Sequence, residues 1–148
     1  MTSWERLVSS GRARRDVELA SMTTYKLGGP ADLFVVVDTI DTLQEVGEAL
    51  RGSNLLIADK GFRGVVVRLG NDFAGVEIDR DGIVEAGGSA SLPRVARGIS
   101  AEGRGGLEWG VGIPGSVGGA VRQNAGCFGR EVVDVLVEAR VMSLAEGT

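Results

Sequence analysis

Glycine is the residue that most restricts how this chain can fold. It supplies 24 of the 148 residues, and nine of these glycines fall between residues 105 and 130. Ordinary proteins contain about 7% glycine, and no Gly-X-Y repeat is present that would indicate collagen. Glycine is needed where the backbone takes a positive φ angle or where another group approaches the main chain closely. We therefore expect a chain whose backbone repeatedly does one or the other.

The residue types that are missing exclude several kinds of chemistry. The chain has no histidine, which removes histidine-based triads, histidine zinc sites and histidine proton shuttles. We accordingly expect no metal site. Cys127 is the single cysteine, so neither an internal disulfide nor a CxxC redox pair can form.

The charge and hydropathy patterns bear on location and partners. A net charge of −4 lacks the basic excess typical of nucleic-acid binding, so no nucleic-acid partner is expected. No apolar run approaches the ~18 residues of a membrane span, and the first residues lack the apolar core of a signal peptide. The sequence predicts a cytoplasmic protein.

Hydrophobic periodicity predicts alternating strands and helices, which indicates an α+β or α/β domain. Apolar, β-branched runs predict strands over 33–37, 65–69, 76–78, 83–86 and 132–142. Helical spacing predicts a short helix over 2–8, one capped by Asp41 with Gln44 as its capping-box partner, and one from Ser91 that ends near Gly103. Asp81-Gly82 predicts a tight hairpin turn, whereas the stretch up to about Ser21 carries little pattern.

The segment Gly110–Ala120, followed by Asn124-Ala125-Gly126, has the features of an anion-binding loop. Its glycines allow successive N–H groups to point one way, and they leave the backbone open to a ligand. A helix over Val117–Gln123 would add free N–H groups and a positive partial charge at its start. The alternative is a tight connection that binds nothing.

Three other motifs in this segment do not fit their context. Gly110-x-Gly112-x-x-Gly115 matches the dinucleotide fingerprint, but no buried strand precedes it. Pro114–Gly118 has the outline of a nucleophile elbow, although no histidine is present to act as base. Neither Lys26 nor Lys60 follows a glycine, which excludes a Walker A loop.

Several further segments carry a resemblance to a known family. They are Tyr25–Ala31, Gly52–Leu56, Gly61–Val66, Gly106–Trp109, Gly112–Ala120, Asn124–Gly126 and Glu131-Val132. In this order, from about Thr23 onwards, the chain resembles the UDP-N-acetylenolpyruvoylglucosamine reductase (UDP-N-acetylmuramate dehydrogenase) family.

The resemblance implies an α+β fold, namely an FAD-binding domain of the vanillyl-alcohol-oxidase (PCMH) type in incomplete form. It implies an N-terminal helix or tail over 1–21 and the FAD-binding domain over 22–148. FAD would be held without a covalent bond. The residues that would bind this cofactor are Gly52, Ser53, Asn54, Gly112, Ile113, Pro114, Gly115, Ser116, Gly118, Gly119, Asn124, Ala125 and Gly126.

The resemblance also implies an activity. NADPH would reduce the flavin, which would pass a hydride to the enolpyruvyl ether of UDP-N-acetylglucosamine in peptidoglycan precursor synthesis, and so serve cell wall biogenesis, cell shape and cell division. The family's catalytic serine, glutamate and arginine have no counterparts in these residues. We therefore expect the chain alone to be inactive and the UDP-sugar to bind a C-terminal domain that is missing here.

One feature departs from the family's pattern, and two alternative functions stay open. Leu50 lies where the family has the first glycine of its phosphate loop, and the family's connection and short strand before Gly52 are missing. The chain could belong to another non-covalent FAD oxidoreductase of the same fold. It could also be a non-catalytic nucleotide-binding module.

Overall fold

The structure, a computed structural model, describes residues 3–23, 26–49 and 61–143. The described residues form two compact units. One comprises those up to Leu69 together with those from Val141 onwards, and the other is Gly70–Arg140.

The first unit is built on a three-stranded sheet. Strand β2 (Pro30–Val37) lies in the middle, antiparallel to β1 (Ala13–Glu18) and parallel to β3 (Phe62–Leu69). Helix α1 (Ser3–Ser9) precedes the sheet, and helix α2 (Ile40–Ala49) lies between β2 and β3 in the chain. A helical connection of this kind is what parallel neighbouring strands require.

Strand β2 carries the core of the first unit, as its continuous apolar run predicts. Phe34, Val35 and Val37 are almost fully buried. Phe34 forms a buried cluster with Leu19 and Ala31. The strand is not covered completely, because Val36 is 37% exposed.

Two expectations for the first unit need correction. Strand β1 lies in the stretch for which the sequence predicts no regular element. Its pattern is weak because charged side chains fill most of its outward positions and only Ala13 is buried. Its pairing with β2 also means that the predicted tail 1–21 shares a sheet with the residues after it. Helix α2 starts at Ile40, before the predicted cap Asp41. The Thr39 hydroxyl accepts the N–H of Thr42 at 3.2 Å and so caps the first turn.

The second unit opens with the predicted hairpin. Strands β4 (Val76–Ile78) and β5 (Val84–Ala86) pair antiparallel. The turn is closed by the Asp79 carboxylate, which accepts the N–H of Ile83 at 2.8 Å. Gly82 has a φ of +92°, so the glycine of Asp81-Gly82 serves the turn as expected.

Two helices form the body of the second unit. Helix α3 (Leu92–Ala101) starts after Ser91 and carries Pro93 in its first turn, and Gly103 follows its end with a φ of +75°. Helix α4 (Val117–Gln123) follows a 3-10 helix over Glu108–Gly112. A buried cluster joins these elements through Leu92, Trp109, Ala120 and Val132.

The predicted strand over 132–142 is wrong. A short hairpin of β6 (Gly126–Cys127) and β7 (Arg130–Glu131) leads instead into a 3-10 turn over Val132–Asp134. Residues 135–143 then form no strand within the described chain. The β-branched run is real, but Glu131 and Asp134 form a capping box that turns the chain. No described strand pairs with the residues beyond it.

Candidate functional site

Ten of the thirteen predicted cofactor-binding residues lie in the second unit, along one path. Gly112 ends the 3-10 helix, Ile113 and Ser116 have extended backbone with a bend at Gly115 between them, and α4 follows immediately. The chain then turns at Asn124-Ala125-Gly126 into β6. The predicted phosphate loop, Gly52-Ser53-Asn54, lies outside the described residues.

Gly115 and Ser116 are anchored on one side and open on the other. The carbonyl oxygen of Gly115 accepts the N–H of Leu92 at 3.1 Å, and Ser116 forms an antiparallel bridge with Ser91. In such a bridge the N–H of Ser116 points away from its partner strand. Within the described chain, the backbone N–H of Gly115 and that of Ser116 donate to no acceptor. Gly115 has a φ of +123°, which favours glycine.

The N–H groups of the first turn of α4 are not free, contrary to the sequence-based expectation. Val117 donates to the carbonyl of Ala90 at 2.8 Å and Gly118 to that of Gly88 at 2.9 Å. Gly119 donates to the Ser116 hydroxyl oxygen at 3.2 Å, so Ser116 is the N-cap. A ligand at this point is therefore left with the N–H groups of Gly115 and Ser116 and with the Ser116 hydroxyl hydrogen.

The glycines of this segment serve different purposes. A Cβ atom on Gly115 would meet no atom within 4 Å, and one on Gly112 would make only ordinary contacts at 3.6 and 3.7 Å. A Cβ on Gly118 would lie 2.9 Å from the carbonyl oxygen of Gly88. Gly118 is thus needed for packing, whereas the surface at Gly112 and Gly115 is bare backbone that a ligand can approach.

Asn124 is held firmly by its neighbours. It has the left-handed backbone (φ +47°, ψ +51°) that ends α4, and the N–H of Ala125 donates to Ala120 at 2.9 Å. Its side-chain oxygen accepts the N–H of Val133 at 2.9 Å, and its side-chain nitrogen donates to Glu131 at 2.7 Å. Asn124 therefore fixes the turn in which Ala125 and Gly126 lie, a role that the sequence pattern did not indicate.

An open groove of about 440 Å³ lies in the same unit, lined by Gly106, Glu108, Trp109, Phe128 and Arg130. The Trp109 ring nitrogen donates to the carbonyl of Gly106 at 3.1 Å, and the Glu108 carboxylate accepts the N–H of Gly106 at 2.9 Å. Hydrogen bonds from the backbone N–H groups of Glu108 and Gly106 lower the pKa of Glu108, with a smaller contribution from Arg130. Phe128 is 87% exposed.

The ten residues suit binding rather than bond-making chemistry. None of them has a titratable or strongly nucleophilic side chain. Gly115 and Ser116 offer two backbone N–H groups and one hydroxyl donor beside bare glycine backbone. A diphosphate needs such donors and room for close approach to the main chain. The arrangement fits the diphosphate of a dinucleotide cofactor such as FAD.

Comparison with known families agrees with this geometry. Residues 32–148 match the FAD-binding domain family. The chain belongs to that family, and its mixed helix-and-sheet structure is the predicted FAD-binding fold.

The similar individual proteins are reductases. UDP-N-acetylenolpyruvoylglucosamine reductases of Bacillus subtilis and Phenylobacterium zucineum are 38% and 42% identical to this chain, over 89% and 91% of its length. The crystal structure of UDP-N-acetylenolpyruvylglucosamine reductase from Thermus caldophilus matches with a TM-score of 0.66 and 37% identity, over 81% of this chain and 45% of the other. The resemblance seen in the sequence is confirmed.

The match is partial in length. The chain spans about half of the curated relatives, 47% in the case of the Bacillus subtilis protein. The match to that relative is 143 residues long, yet it includes only 89% of the 148 residues of this chain. The matched region of the relative therefore contains residues that have no counterpart in this chain. In the described part of the chain, no helix is long and apolar enough to cross a membrane.

Proposed function

We propose that this chain binds FAD without a covalent bond and that the glycine-rich segment holds the cofactor's diphosphate. The N–H groups of Gly115 and Ser116 would donate to its oxygens, together with the Ser116 hydroxyl. The bare backbone at Gly112 and Gly115 would allow the diphosphate to come close. Gly52-Ser53-Asn54 remains the proposed second loop.

The choice of main-chain donors suits the charge of this protein. The chain carries a net charge of −4 and has two lysines, neither of which lies in the segment. A diphosphate at this point would be held by neutral N–H groups in fixed positions, which bind an anion without a lysine. When bound, FAD supplies hydride transfer. The residues described here bind and orient it.

For the protein to which this chain belongs, we propose reduction of the enolpyruvyl ether of UDP-N-acetylenolpyruvoylglucosamine to UDP-N-acetylmuramate, with NADPH as reductant. The observation that carries the proposal is the identity of 38–42% to such reductases over about nine-tenths of this chain. The UDP-sugar would bind outside the residues of this chain. A cytoplasmic location would follow from a role in peptidoglycan precursor synthesis.

A chimera tests this reaction. In it, the present chain replaces the matching part of the Bacillus subtilis reductase, and NADPH oxidation is followed by absorbance. We expect oxidation that depends on the enolpyruvyl sugar nucleotide and is absent with UDP-N-acetylglucosamine, which lacks the enolpyruvyl group. A chimera that binds FAD but oxidises NADPH equally with both sugar nucleotides would contradict the proposed substrate.

A further inference from the structure

The side chain of Asn124 can adopt only one orientation. Its oxygen accepts the N–H of Val133 at 2.9 Å, and its nitrogen donates to Glu131 Oε2 at 2.7 Å. If the amide group were rotated by 180°, its NH₂ would face the N–H of Val133 and its oxygen would face the carboxylate of Glu131. Both contacts would then be repulsive. Glu131 and Val133 therefore determine where the amide hydrogens of Asn124 lie.

Glu131 is itself fixed by its neighbours. Its side chain accepts the backbone N–H of Asp134, and the Asp134 carboxylate accepts the N–H of Glu131 at 2.9 Å. Its backbone pairs with Gly126 in the β6–β7 hairpin. The Glu131 carboxylate thus joins the 3-10 turn after β7 to the residue that ends α4.

An NH₂ group has two hydrogens, and Asn124 uses one of them for Glu131. Within the described chain, no acceptor takes the second. The negative carboxylate 2.7 Å from this nitrogen disfavours a phosphate as the acceptor, because the two anions would repel one another. A neutral acceptor, such as a carbonyl or hydroxyl oxygen, fits this second hydrogen better.

We propose that Glu131 is a positioning residue for FAD, which orients the Asn124 amide so that its second N–H donates to a neutral oxygen of the cofactor. This inference rests on the proposed function. Gly115 and Ser116 serve the diphosphate, and Asn124 serves an uncharged part of the same molecule. The carboxylate acts only through Asn124 and does not itself touch the cofactor.

The test is titration of the 148-residue chain with FAD, with flavin fluorescence and the visible absorption spectrum as readouts. Glu131→Ala should weaken FAD binding by up to about tenfold, the cost of losing the neutral hydrogen bond between Asn124 and the cofactor, and should shift the flavin spectrum. Glu131→Gln keeps an acceptor oxygen and should restore both readouts. Asn124→Gly keeps the left-handed backbone, and in that background Glu131→Ala should cause no further loss.

Asp134→Ala is the matched control, because it removes the other half of the capping box and leaves the Asn124–Glu131 contact. It should lower the melting temperature as Glu131→Ala does while FAD affinity stays near that of the wild type. Equal affinity losses for the two alanine variants would overturn the inference, and so would an unchanged affinity of Glu131→Ala. A wild-type chain that binds no FAD would overturn the proposed function and the inference together.

Discussion

The backbones of Gly118 and Gly88 lie directly against each other. The N–H of Gly118 donates to the carbonyl oxygen of Gly88 at 2.9 Å, and a Cβ on Gly118 would lie 2.9 Å from the same atom. This contact joins the first turn of α4 to the loop that follows β5. It holds the start of the helix beside Ser116 and so contributes to the shape of the proposed diphosphate site.

Gly118→Ala should destabilise the protein by about 1–3 kcal/mol, because the added methyl meets backbone that cannot move aside easily. Gly98→Ala is the control, since a Cβ there meets nothing within 4 Å in the middle of α3. That substitution should stabilise by about 0.5–1 kcal/mol. Denaturant unfolding of the three proteins measures both effects. If Gly118→Ala were as stable as Gly98→Ala, the close contact would be disproved.

Gly115→Ala should weaken FAD binding more than Ser116→Ala does. Position 115 has a φ of +123°, and a non-glycine residue there costs about 1–3 kcal/mol or moves the N–H groups away from the ligand. Ser116→Ala removes one hydroxyl and the cap on Gly119, which costs about 1 kcal/mol of stability. Isothermal titration with FAD distinguishes the two. Equal losses would argue against a site built on backbone N–H groups.

The tip of the β6–β7 hairpin is strained. Phe128 and Gly129 both have positive φ angles, +55° and +77°, which a two-residue hairpin turn requires and which asparagine tolerates better than phenylalanine. Phe128→Asn should therefore raise the unfolding free energy by about 0.5–1 kcal/mol, because the ring is 87% exposed and little burial is lost. Gly129→Ala should lower it. A thermal melt in which Phe128→Asn unfolds earlier would contradict this account.

Glu108 should make stability depend on pH in the acid range. Its pKa is lowered from an ordinary value of 4.5 in the folded protein, so folding favours the charged form. The resulting stabilisation is present above the unfolded-state pKa and is lost as the pH falls through the lower folded-state pKa. Glu108→Gln should remove this part of the pH dependence below about pH 4.5. Urea unfolding at several pH values measures it, and an identical profile for the variant would refute it.

The chain alone should not oxidise NADPH in response to the enolpyruvyl sugar nucleotide. It spans 47% of the Bacillus subtilis relative, and the ten described site residues have no titratable side chain that could donate a proton. An absorbance assay with purified chain and added FAD checks this. Turnover that requires the sugar nucleotide would contradict the prediction.

The sequence predicts well the features that depend on neighbouring residues. Asp81-Gly82 closes a hairpin, and Ser91 with Pro93 starts α3, because these signals act within a few residues. Strand β1 escapes detection because its exposed side chains are charged and no tight turn joins it to its partner β2. A β-branched run after Val132 predicts a strand, but a strand also needs a neighbour with which to pair.

The site shows the same division between local and distant contacts. Its glycines and Ser116 are evident from the sequence, and so is the kind of ligand they suit. The sequence does not show that the first N–H groups of α4 donate to the carbonyls of Gly88 and Ala90, because those residues lie nearly thirty positions earlier in the chain. The hydrogen bonds of the Asn124 side chain with Glu131 and Val133 likewise depend on how the chain turns after α4.

Binding of FAD by the 148-residue chain is the central claim, and an equilibrium titration with FAD and with FMN tests it most directly. FMN carries the flavin and one phosphate but lacks the diphosphate and adenosine. We predict saturable one-to-one binding of FAD, with FMN at least about tenfold weaker because it lacks part of the group that Gly115 and Ser116 would hold. No binding of FAD, or equal affinity for the two flavins, would contradict the account.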